Sequence, residues 1–247
     1  MGEKFKSIII AERENLPLDV KLGRKKAYLE IGFGNGEFLA YMAREDRESS
    51  WWGIEMSRSC VLRAQRRIER EGLSNARILY GDARFFLRKC LAGESLDGIY
   101  MNFPCPWPKN RHSKNRVSSG SFPSEVARVL KKGGFFELFT DEEWYGLEVR
   151  GGMIAHPYLE ESSWQVDPIR PIRTKYERRW LEMGKNIYRS KVEKNMCAAG
   201  EDPHYLGRAQ DVHVRVQRRG KAGSVLKDLF GREGKDGSSL WIYKRSY

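Results

Sequence analysis

Three acidic side chains follow short apolar segments, each at the point where the segment is predicted to end as a β-strand. Glu30 lies at the end of the first segment, Glu55 at the end of the second, and Asp82 just after the third. The carboxyl ends of parallel strands meet at one edge of a sheet, where ligands bind. One such acid alone is more often a surface residue, but three at successive strand ends predict a shared acidic site.

A glycine-rich turn lies between the first predicted strand and the first predicted helix, with the pattern Gly32-x-Gly34-x-Gly36. Glycine allows the backbone to approach a ligand where a side chain would clash. The spacing differs from the G-x-G-x-x-G of dinucleotide enzymes, so it does not favour a pyrophosphate ligand. A tight strand–helix turn without a ligand is the alternative interpretation.

The three acids indicate which ligand would bind at this edge. Glu55 follows Gly36 by 19 residues, close to the ~20 expected for a carboxylate that binds a ribose diol. Because ionised carboxylates only accept hydrogen bonds, Asp82 could bind an adenine amino group and Glu30 an ammonium or sulfonium group. Together they would repel a pyrophosphate and attract a cationic adenosine derivative such as S-adenosylmethionine.

A proline-rich, cationic stretch follows the fourth predicted strand and reads NFPCPWPKNRHSKNR over residues 102–116. Trp107 offers a flat ring for a nucleobase, and the cations predicted to contact phosphates are Lys109, Arg111, Lys114 and Arg116. A solvated basic loop is the alternative. His112 has no partner at metal-ligand spacing, so no metal site is predicted.

The elements that must position these residues alternate between short apolar runs and helix-like stretches, which predicts an α/β fold with a parallel sheet. The predicted strands are Tyr28–Ile31, Trp51–Glu55, Ala76–Tyr80, Leu96–Phe103, Phe135–Phe139 and one near 186–194. The predicted helices cover about 37–44, 57–72, 85–91, a stretch from Pro123 that stops at Lys131–Gly134, and one opened by Asp141–Glu143.

The C-terminal residues follow a different pattern. Asp211–Gln217 alternates apolar and polar residues, which is typical of a β-strand, and Leu240–Tyr243 shows the same alternation. We therefore predict an N-terminal arm over 1–24, a main domain over 25–195 and a small β-containing appendage over 196–247. The appendage would either stabilise the domain or extend its contact with RNA.

Composition narrows the class of protein further. The 247 residues carry 45 Lys and Arg against 33 Asp and Glu, a net charge of +12 that favours a nucleic-acid partner. A hydrophobic fraction of 40% excludes wholesale disorder, and no apolar run reaches the ~18 residues of a membrane span. Four scattered cysteines without a Cys-x-x-Cys pair favour a reducing, cytoplasmic location.

These motifs resemble those of the bacterial tRNA (guanine-N7-)-methyltransferases. The matching strings run in order over roughly residues 25–195: LEIGFGNGEF, GIE, GDA, NFPxPWPKxRHxKxR, Thr140-Asp141 and Thr174-Lys175-Tyr176-Glu177. The resemblance implies a Rossmann-like class I methyltransferase fold, with a mostly parallel seven-stranded sheet flanked by helices. It also implies methyl transfer from S-adenosylmethionine to N7 of a tRNA guanosine at variable-loop position 46, by a monomer or homodimer.

The motifs and the resemblance together predict two sets of site residues, of which the resemblance itself implies Glu30, Glu55, Asp82, Lys109, Asp141 and the segment Thr174–Glu177. The cofactor set is Glu30, Gly32, Gly34, Gly36, Glu55, Asp82, Ala83, Asn102 and Cys105. The substrate set is Trp107, Lys109, Arg111, Asp141, Thr174, Lys175, Tyr176 and Glu177.

Cys105 departs from the family pattern, which has aspartate between the two prolines. Guanine N7 carries a lone pair and no proton, so its attack on a methyl group needs positioning rather than a base. A carboxylate would still stabilise the positive charge that moves onto the purine. We therefore expect slower catalysis at Cys105 rather than none, with Asp141 or Glu177 supplying the remaining negative field.

Two other functions remain open on the sequence alone. The stretch from Asn102 to Trp107 loosely resembles the Asn-Pro-Pro-aromatic motif of enzymes that methylate an exocyclic base nitrogen, although two extra residues disturb the spacing. The second alternative is an RNA-binding protein that lost catalysis with the aspartate.

Overall fold

A computed structural model describes most of the chain. The residues described are 8–9, 18–21, 23–109, 111–112, 116 and 118–195. The predicted strands of the appendage, at Asp211–Gln217 and Leu240–Tyr243, lie outside them.

One mixed sheet organises these residues, in the strand order β1-β4-β3-β2-β5-β6-β8-β7. The first six strands of that order are parallel to their neighbours, whereas β8 pairs antiparallel with both β6 and β7. The strands are β1 (Ile8–Ile9), β2 (Ala27–Ile31), β3 (Ser50–Glu55), β4 (Ala76–Tyr80), β5 (Leu96–Asn102), β6 (Leu130–Thr140), β7 (Leu159–Val166) and β8 (Tyr188–Lys194).

Six helices flank the sheet. They are α1 (Glu37–Glu45), α2 (Arg58–Arg70), α3 (Ala83–Lys89), α4 (Phe122–Val129), α5 (Glu143–Ile154) and α6 (Lys175–Glu182). None of the helices in the described ranges is long and apolar enough to cross a membrane.

Burial explains why the central strands are apolar on both sides. In β3 every residue before Glu55 is buried, as expected for a parallel strand with packed layers on each face. On one face α2 presents Val61, Ala64 and Ile68, spaced so that all three lie on one side of the helix. Trp51 stacks on the ring of Tyr28 in the next strand at 4.5 Å between centroids. The sheet is therefore held rigidly, and so are the strand ends that carry the acids.

The predicted parallel strands are confirmed to within one or two residues at most ends, with one correction. The stretch Lys131–Gly134 was expected to stop a helix, but α4 already ends at Val129 and the stretch belongs to β6. Gly133 there has a φ of +70°, and the register of β6 on β5 shifts after Leu96. A lysine- and glycine-rich stretch is typical of a helix stop, and here it forms an irregular strand entry instead.

The N-terminal arm is more integrated than its sequence indicated. Leu18 and Val20 are buried in the core, and the Leu18 amide donates to the carbonyl of Cys90 at 2.8 Å. The Trp52 indole donates to the Val20 carbonyl at 2.7 Å. The two-residue strand β1 adds an eighth, edge strand to the predicted seven. Packing thus begins before residue 25.

Candidate active site

A cavity of about 500 Å³ opens at the edge of the sheet where strands β2 to β5 end. This volume lies within the ~300–1,000 Å³ range of small-ligand sites. Its lining includes the polar side chains at four successive strand ends: Glu30, Glu55, Asp82 and Asn102. The three acids that the sequence predicts to share one site thus lie around one cavity.

The lining is negatively charged. It includes four carboxylates, against two cationic side chains from Arg84 and Lys175. Arg84 is already ion-paired with Asp82 at 2.7 Å. The remaining field favours a cationic ligand and disfavours a polyphosphate.

The glycine turn lies under the cavity with three left-handed residues. Gly32, Gly34 and Gly36 have φ values of +72°, +55° and +72°, which side chains rarely adopt. Gly32 and Gly34 line the cavity. Gly36 does not, and a Cβ there would lie 2.6 Å from the Cβ of Ala64. A cofactor contact at Gly36 therefore stays a prediction, since the structure gives it a packing role between α1 and α2.

Glu55 is held in place by the backbone around it. Its Oε2 accepts from the amide of Gly34 at 3.0 Å, while its Oε1 accepts from the amides of Met56 and Ser57, both at 2.8 Å. These bonds connect β3 with the glycine turn of the neighbouring strand. A carboxylate oxygen accepts more than one hydrogen bond, so the geometry leaves room for the predicted ribose contact.

Asp82 begins helix α3. Its side chain accepts from the amide of Arg84 at 2.9 Å and from the guanidinium of the same residue at 3.1 and 2.7 Å. Ala83, the first helical residue, lines the cavity beside it. Asp82 is thus oriented both as a helix cap and as an ion-pair partner, at the position where an adenine amino group is predicted.

Glu30 is the most perturbed acid of the cavity. It is 2% exposed, and its Oε1 accepts from the amide of Asn102 at 2.8 Å. Its Oε2 is buried without a hydrogen-bond partner in the described part of the chain. Burial raises the pKa of this carboxyl to about 7, opposed by the Asn102 hydrogen bond, the charge of Arg170 and the backbone of Leu39. A cationic ligand in the cavity would favour the charged form of this buried carboxyl.

The loop after β5 is held in an unusual backbone conformation. Phe103 and Trp107 have φ values of +49° and +46°, which cost ~1 kcal/mol or more each unless other contacts hold them. Arg116 supplies such contacts, since its guanidinium donates to the carbonyls of Pro106 at 2.9 Å and Trp107 at 3.1 Å. The loop is therefore anchored by side-chain bonds.

The sequence predicted that Arg116 would contact phosphates, and this prediction is wrong. It is 6% exposed and ion-paired with Glu148 of α5 at 2.6 Å. Its guanidinium also lies 5.0 Å from the ring centroid of Trp144. Arg116 thus clamps the loop to α5, and its charge is not available to RNA. Lys114 lies outside the described residues.

The other loop residues lie at the surface. Cys105 and Trp107 line the cavity, the first with an exposed thiol and the second with a ring 38% exposed. Lys109 and Arg111 are exposed and lie beyond the lining. Arg111 donates to the ring nitrogen of His112 at 3.2 Å. Their predicted contacts with RNA phosphates therefore concern the outer surface rather than the cavity.

The segment Thr174–Glu177 begins helix α6 and borders the same cavity. Thr174 and Glu177 cap the helix reciprocally, each side chain accepting from the other's backbone amide. Thr174, Lys175 and Tyr176 line the cavity. The Lys175 amide donates to Glu37 of α1 at 2.6 Å, which fixes the segment against the glycine turn.

The two acids expected to supply a negative field are both neutralised by a cation. Asp141 accepts from Lys185 at 2.5 Å, and this bond helps to raise the pKa of the lysine. Glu177 is 2% exposed and ion-paired with Arg170 at 2.7 Å. Neither acid is among the lining residues. The geometry does not support the expected catalytic field at either one.

Sequence reasoning missed two cations that pair with predicted site acids, Arg170 with Glu177 and Lys185 with Asp141. Both lie far along the chain from most of their partners, so no local spacing reveals the pairs. The Thr-x-x-Glu signature of a capping box would have located the start of α6, whose first turn Arg170 contacts. Among the described residues no group of three or more His, Cys, Asp or Glu is arranged to hold a metal ion.

Comparison with solved structures defines the fold. An antibiotic-related methyltransferase is similar with a TM-score of 0.52 at 18% identity, covering 68% of this chain and 87% of that one. The [4+2]-cyclase SpnF is similar with a TM-score of 0.51 at 15% identity, covering 74% and 78%. At such identities the likeness shows the fold alone, which is the Rossmann-like class I methyltransferase fold.

Sequence relatives define the family. A family model described as a putative methyltransferase matches residues 24–190. A tRNA (guanine-N(7)-)-methyltransferase from Thermotoga maritima is 36% identical over 234 residues, which cover 94% of this chain and 74% of the relative. One of the same name from Nitrosococcus oceani is 36% identical over 168 residues, covering 68% and 71%. The chain belongs to the tRNA (guanine-N7-)-methyltransferase family.

The Thermotoga match also bears on the C-terminal appendage. Because it covers 94% of this chain, most of residues 196–247 fall within it. That relative therefore has sequence aligned with most of these residues, although the sequence alone suggested a departure from the usual length.

Proposed function

We propose that this chain transfers a methyl group from S-adenosylmethionine to N7 of a guanosine in tRNA. Family membership supports the reaction, and the position of Glu30, Glu55 and Asp82 around one cavity is the structural observation that carries it. By the family resemblance, the guanosine would be the one at variable-loop position 46. A tRNA substrate places the proposed activity in the cytoplasm, with the chain acting as a monomer or homodimer.

The residues of the cavity fit this cofactor. When bound, S-adenosylmethionine supplies a methyl group activated by the positive charge of its sulfonium. Glu30 would bind a positively charged group of the cofactor, Glu55 the ribose hydroxyls and Asp82 the adenine amino group. Each carboxylate is already oriented by hydrogen bonds to neighbouring amides or side chains. Little reorganisation is therefore needed when the ligand binds.

The substrate guanine would be held between two exposed aromatic side chains at the cavity mouth. Trp107 and Tyr176 both line the cavity and are 38% and 51% exposed, so their rings can stack on a base. Because guanine N7 has a lone pair and no proton, the chain needs no general base at that atom. Its contribution is to align N7 with the methyl group and to exclude water, which can supply ~7–11 kcal/mol.

Labelled cofactor and bulk tRNA provide the direct test. We expect label in tRNA, in a nucleoside whose glycosidic bond becomes labile after mild reduction and aniline treatment, as only N7 methylation predicts. Mapping the cleavage would locate the guanosine. Label at an exocyclic nitrogen would instead support the amino-methyltransferase alternative. Tight tRNA binding without label transfer would support the RNA-binding alternative, and either result would refute the proposal.

A matched pair of variants tests the cofactor site separately. Glu30→Gln removes the buried charge with little change in shape, whereas Glu48→Gln removes an exposed charge that pairs with Lys25 on the surface. Calorimetric titration with S-adenosylmethionine should show affinity lowered at least tenfold by the first change and unaltered by the second. Equal affinities would show that Glu30 does not hold the cofactor.

A further inference from the structure

A buried arginine connects the end of strand β5 with the start of helix α6. Arg170 lies between β7 and α6, and its side chain is 1% exposed. Its guanidinium lies against three rings, with Phe139 of β6 closest at 3.8 Å to the centroid and Phe103 and Phe38 at 5.5 and 5.8 Å. These contacts join the segment before α6 to strands β5 and β6 and to helix α1.

A continuous chain of hydrogen bonds passes through this guanidinium. Arg170 donates through Nη1 to Oε2 of Glu177 at 2.7 Å and through Nη2 to Oδ1 of Asn102 at 2.6 Å. The Asn102 amide in turn donates to Oε1 of Glu30 at 2.8 Å. One network of four side chains thus connects the buried carboxylate of the cavity with the N-terminal cap of α6: Glu30, Asn102, Arg170 and Glu177.

The charges along this chain are shared. One guanidinium serves two buried carboxylates, Glu30 and Glu177, and it lowers the pKa of both against the effect of burial. Two further acids act on the network, since Glu55 raises the pKa of Glu30 and Glu137 of β6 favours the charged form of Arg170. Removing the guanidinium would therefore raise the pKa of both carboxyls.

Stability alone does not account for this arrangement. In the described part of the chain, Oε2 of Glu30 and Nε of Arg170 are both buried without partners. Each such atom costs ~1–3 kcal/mol, and buried ion pairs are often no more stable than apolar residues of the same volume. Local violations of this kind are typical of functional sites.

We propose that Arg170 is a positioning residue that couples cofactor binding at Glu30 to tRNA binding at the Thr174–Glu177 segment. A cationic ligand favours the ionised form of Glu30, which holds Asn102 and through it the Arg170 guanidinium, and so the bond from Arg170 to Glu177 at the start of α6. Tighter substrate binding in the presence of cofactor follows, and by reciprocity the reverse. This inference rests on the proposed function and adds a residue and a coupling to it.

The test uses sinefungin, an unreactive cationic analogue of S-adenosylmethionine, with the full chain. Two quantities are measured: the pH midpoint of sinefungin affinity without tRNA, and the factor by which sinefungin tightens tRNA binding. In the parent protein we expect affinity to rise with pH to a midpoint near 7, and tRNA affinity to increase about fivefold or more.

Arg170→Met should raise the midpoint by about one pH unit and bring the coupling factor close to one. Arg170→Lys keeps the charge but loses the guanidinium that donates to Glu177 and Asn102 at once. It should therefore leave the midpoint nearly unchanged and still reduce the coupling. Glu177→Gln should move the midpoint in the opposite direction, downward, because it removes a nearby negative charge that opposes the effect of the guanidinium on Glu30. A fold defect in Arg170→Met cannot imitate this pair of opposite shifts.

Arg128→Met serves as the matched control. Arg128 is also largely buried, pairs with Glu125 at 3.0 Å and donates to the Leu91 carbonyl, but neither of these partners lines the cavity, whereas Arg170 bonds to the lining residue Asn102. It should lower stability without moving either quantity. The inference is wrong if Arg170→Met and Arg128→Met behave alike, if Glu177→Gln raises the midpoint, or if the parent shows no coupling. A parent protein that binds no sinefungin would refute the proposed function itself.

Discussion

Replacing Glu30 with glutamine should stabilise the ligand-free protein while lowering its cofactor affinity. The carboxyl is fully buried, and one of its oxygens lacks a partner in the described part of the chain. The charged form is therefore unfavourable in the folded state. Glutamine keeps an oxygen that can accept from Asn102 but carries no charge, so the substitution isolates the cost of the ionised acid.

The magnitude follows from the pKa of this carboxyl. Folding raises it from 4.5 to about 7, a difference of about 2.5 units at 1.36 kcal/mol each, or about 3 kcal/mol in favour of the protonated form. A raised acid pKa contributes stability that is fully present below pH 4.5 and is lost as pH rises through 7. Between pH 5 and pH 8 the parent should therefore lose about 2–3 kcal/mol that Glu30→Gln does not lose.

Chemical denaturation at pH 5 and pH 8, without ligand, measures this difference. The two proteins should have similar free energies of unfolding at pH 5, and the variant should be the more stable at pH 8. Thermal denaturation at pH 8 should then give the variant a melting temperature higher by roughly 5–10 °C. Glu48→Gln, at an exposed pair, controls for the general loss of one acid. If the gap between parent and Glu30→Gln is the same at both pH values, Glu30 does not titrate as the geometry requires.

Three further predictions concern the loop and the glycine turn. Cys105→Asp should raise the single-turnover methylation rate by roughly tenfold or more, and an equal or lower rate would contradict the charge argument. Lys109→Ala and Arg111→Ala should each weaken tRNA binding and shallow its logarithmic salt dependence by about one, unless the loop lies off the RNA path. Gly36→Ala should lower the free energy of unfolding by about 3 kcal/mol, and Gly72→Ala by ~1 kcal/mol, as measured by denaturation. Both glycines have positive φ, but only at Gly36 would the new Cβ meet a side chain, the Cβ of Ala64 at 2.6 Å. Equal costs would show that α1 and α2 separate freely.

The shared position of the acids could be predicted because it depends on regular structure. Buried parallel strands have near-continuous apolar runs, and their carboxyl ends meet at one edge. Glu30, Glu55 and Asp82 lie at or just past such ends, so their meeting around one cavity follows from sequence order alone. The same rule explains why Asn102, at the end of β5, joins them.

The roles of the cations could not be predicted in this way. Arg111 and Arg116 belong to the same basic run, yet the first is exposed and the second is 6% exposed. The difference is made by Glu148, which lies 32 residues away on α5. Pairing between distant segments depends on tertiary packing, and a charge run carries no signal of it. The same holds for Arg170, whose partner Asn102 lies 68 residues away along the chain.

The pairing of these cations also changes what Cys105 implies for catalysis. Methyl transfer leaves positive charge on the purine, and a carboxylate near it would stabilise that charge. Asp141 and Glu177 were expected to compensate for the missing aspartate, but Lys185 and Arg170 neutralise them at 2.5 and 2.7 Å. An ion-paired carboxylate acts at a distance as a dipole, whose field falls off faster than that of a charge. The chain then relies on alignment in the cavity, so restoring the charge at Cys105 should change the rate of transfer more than it changes cofactor affinity.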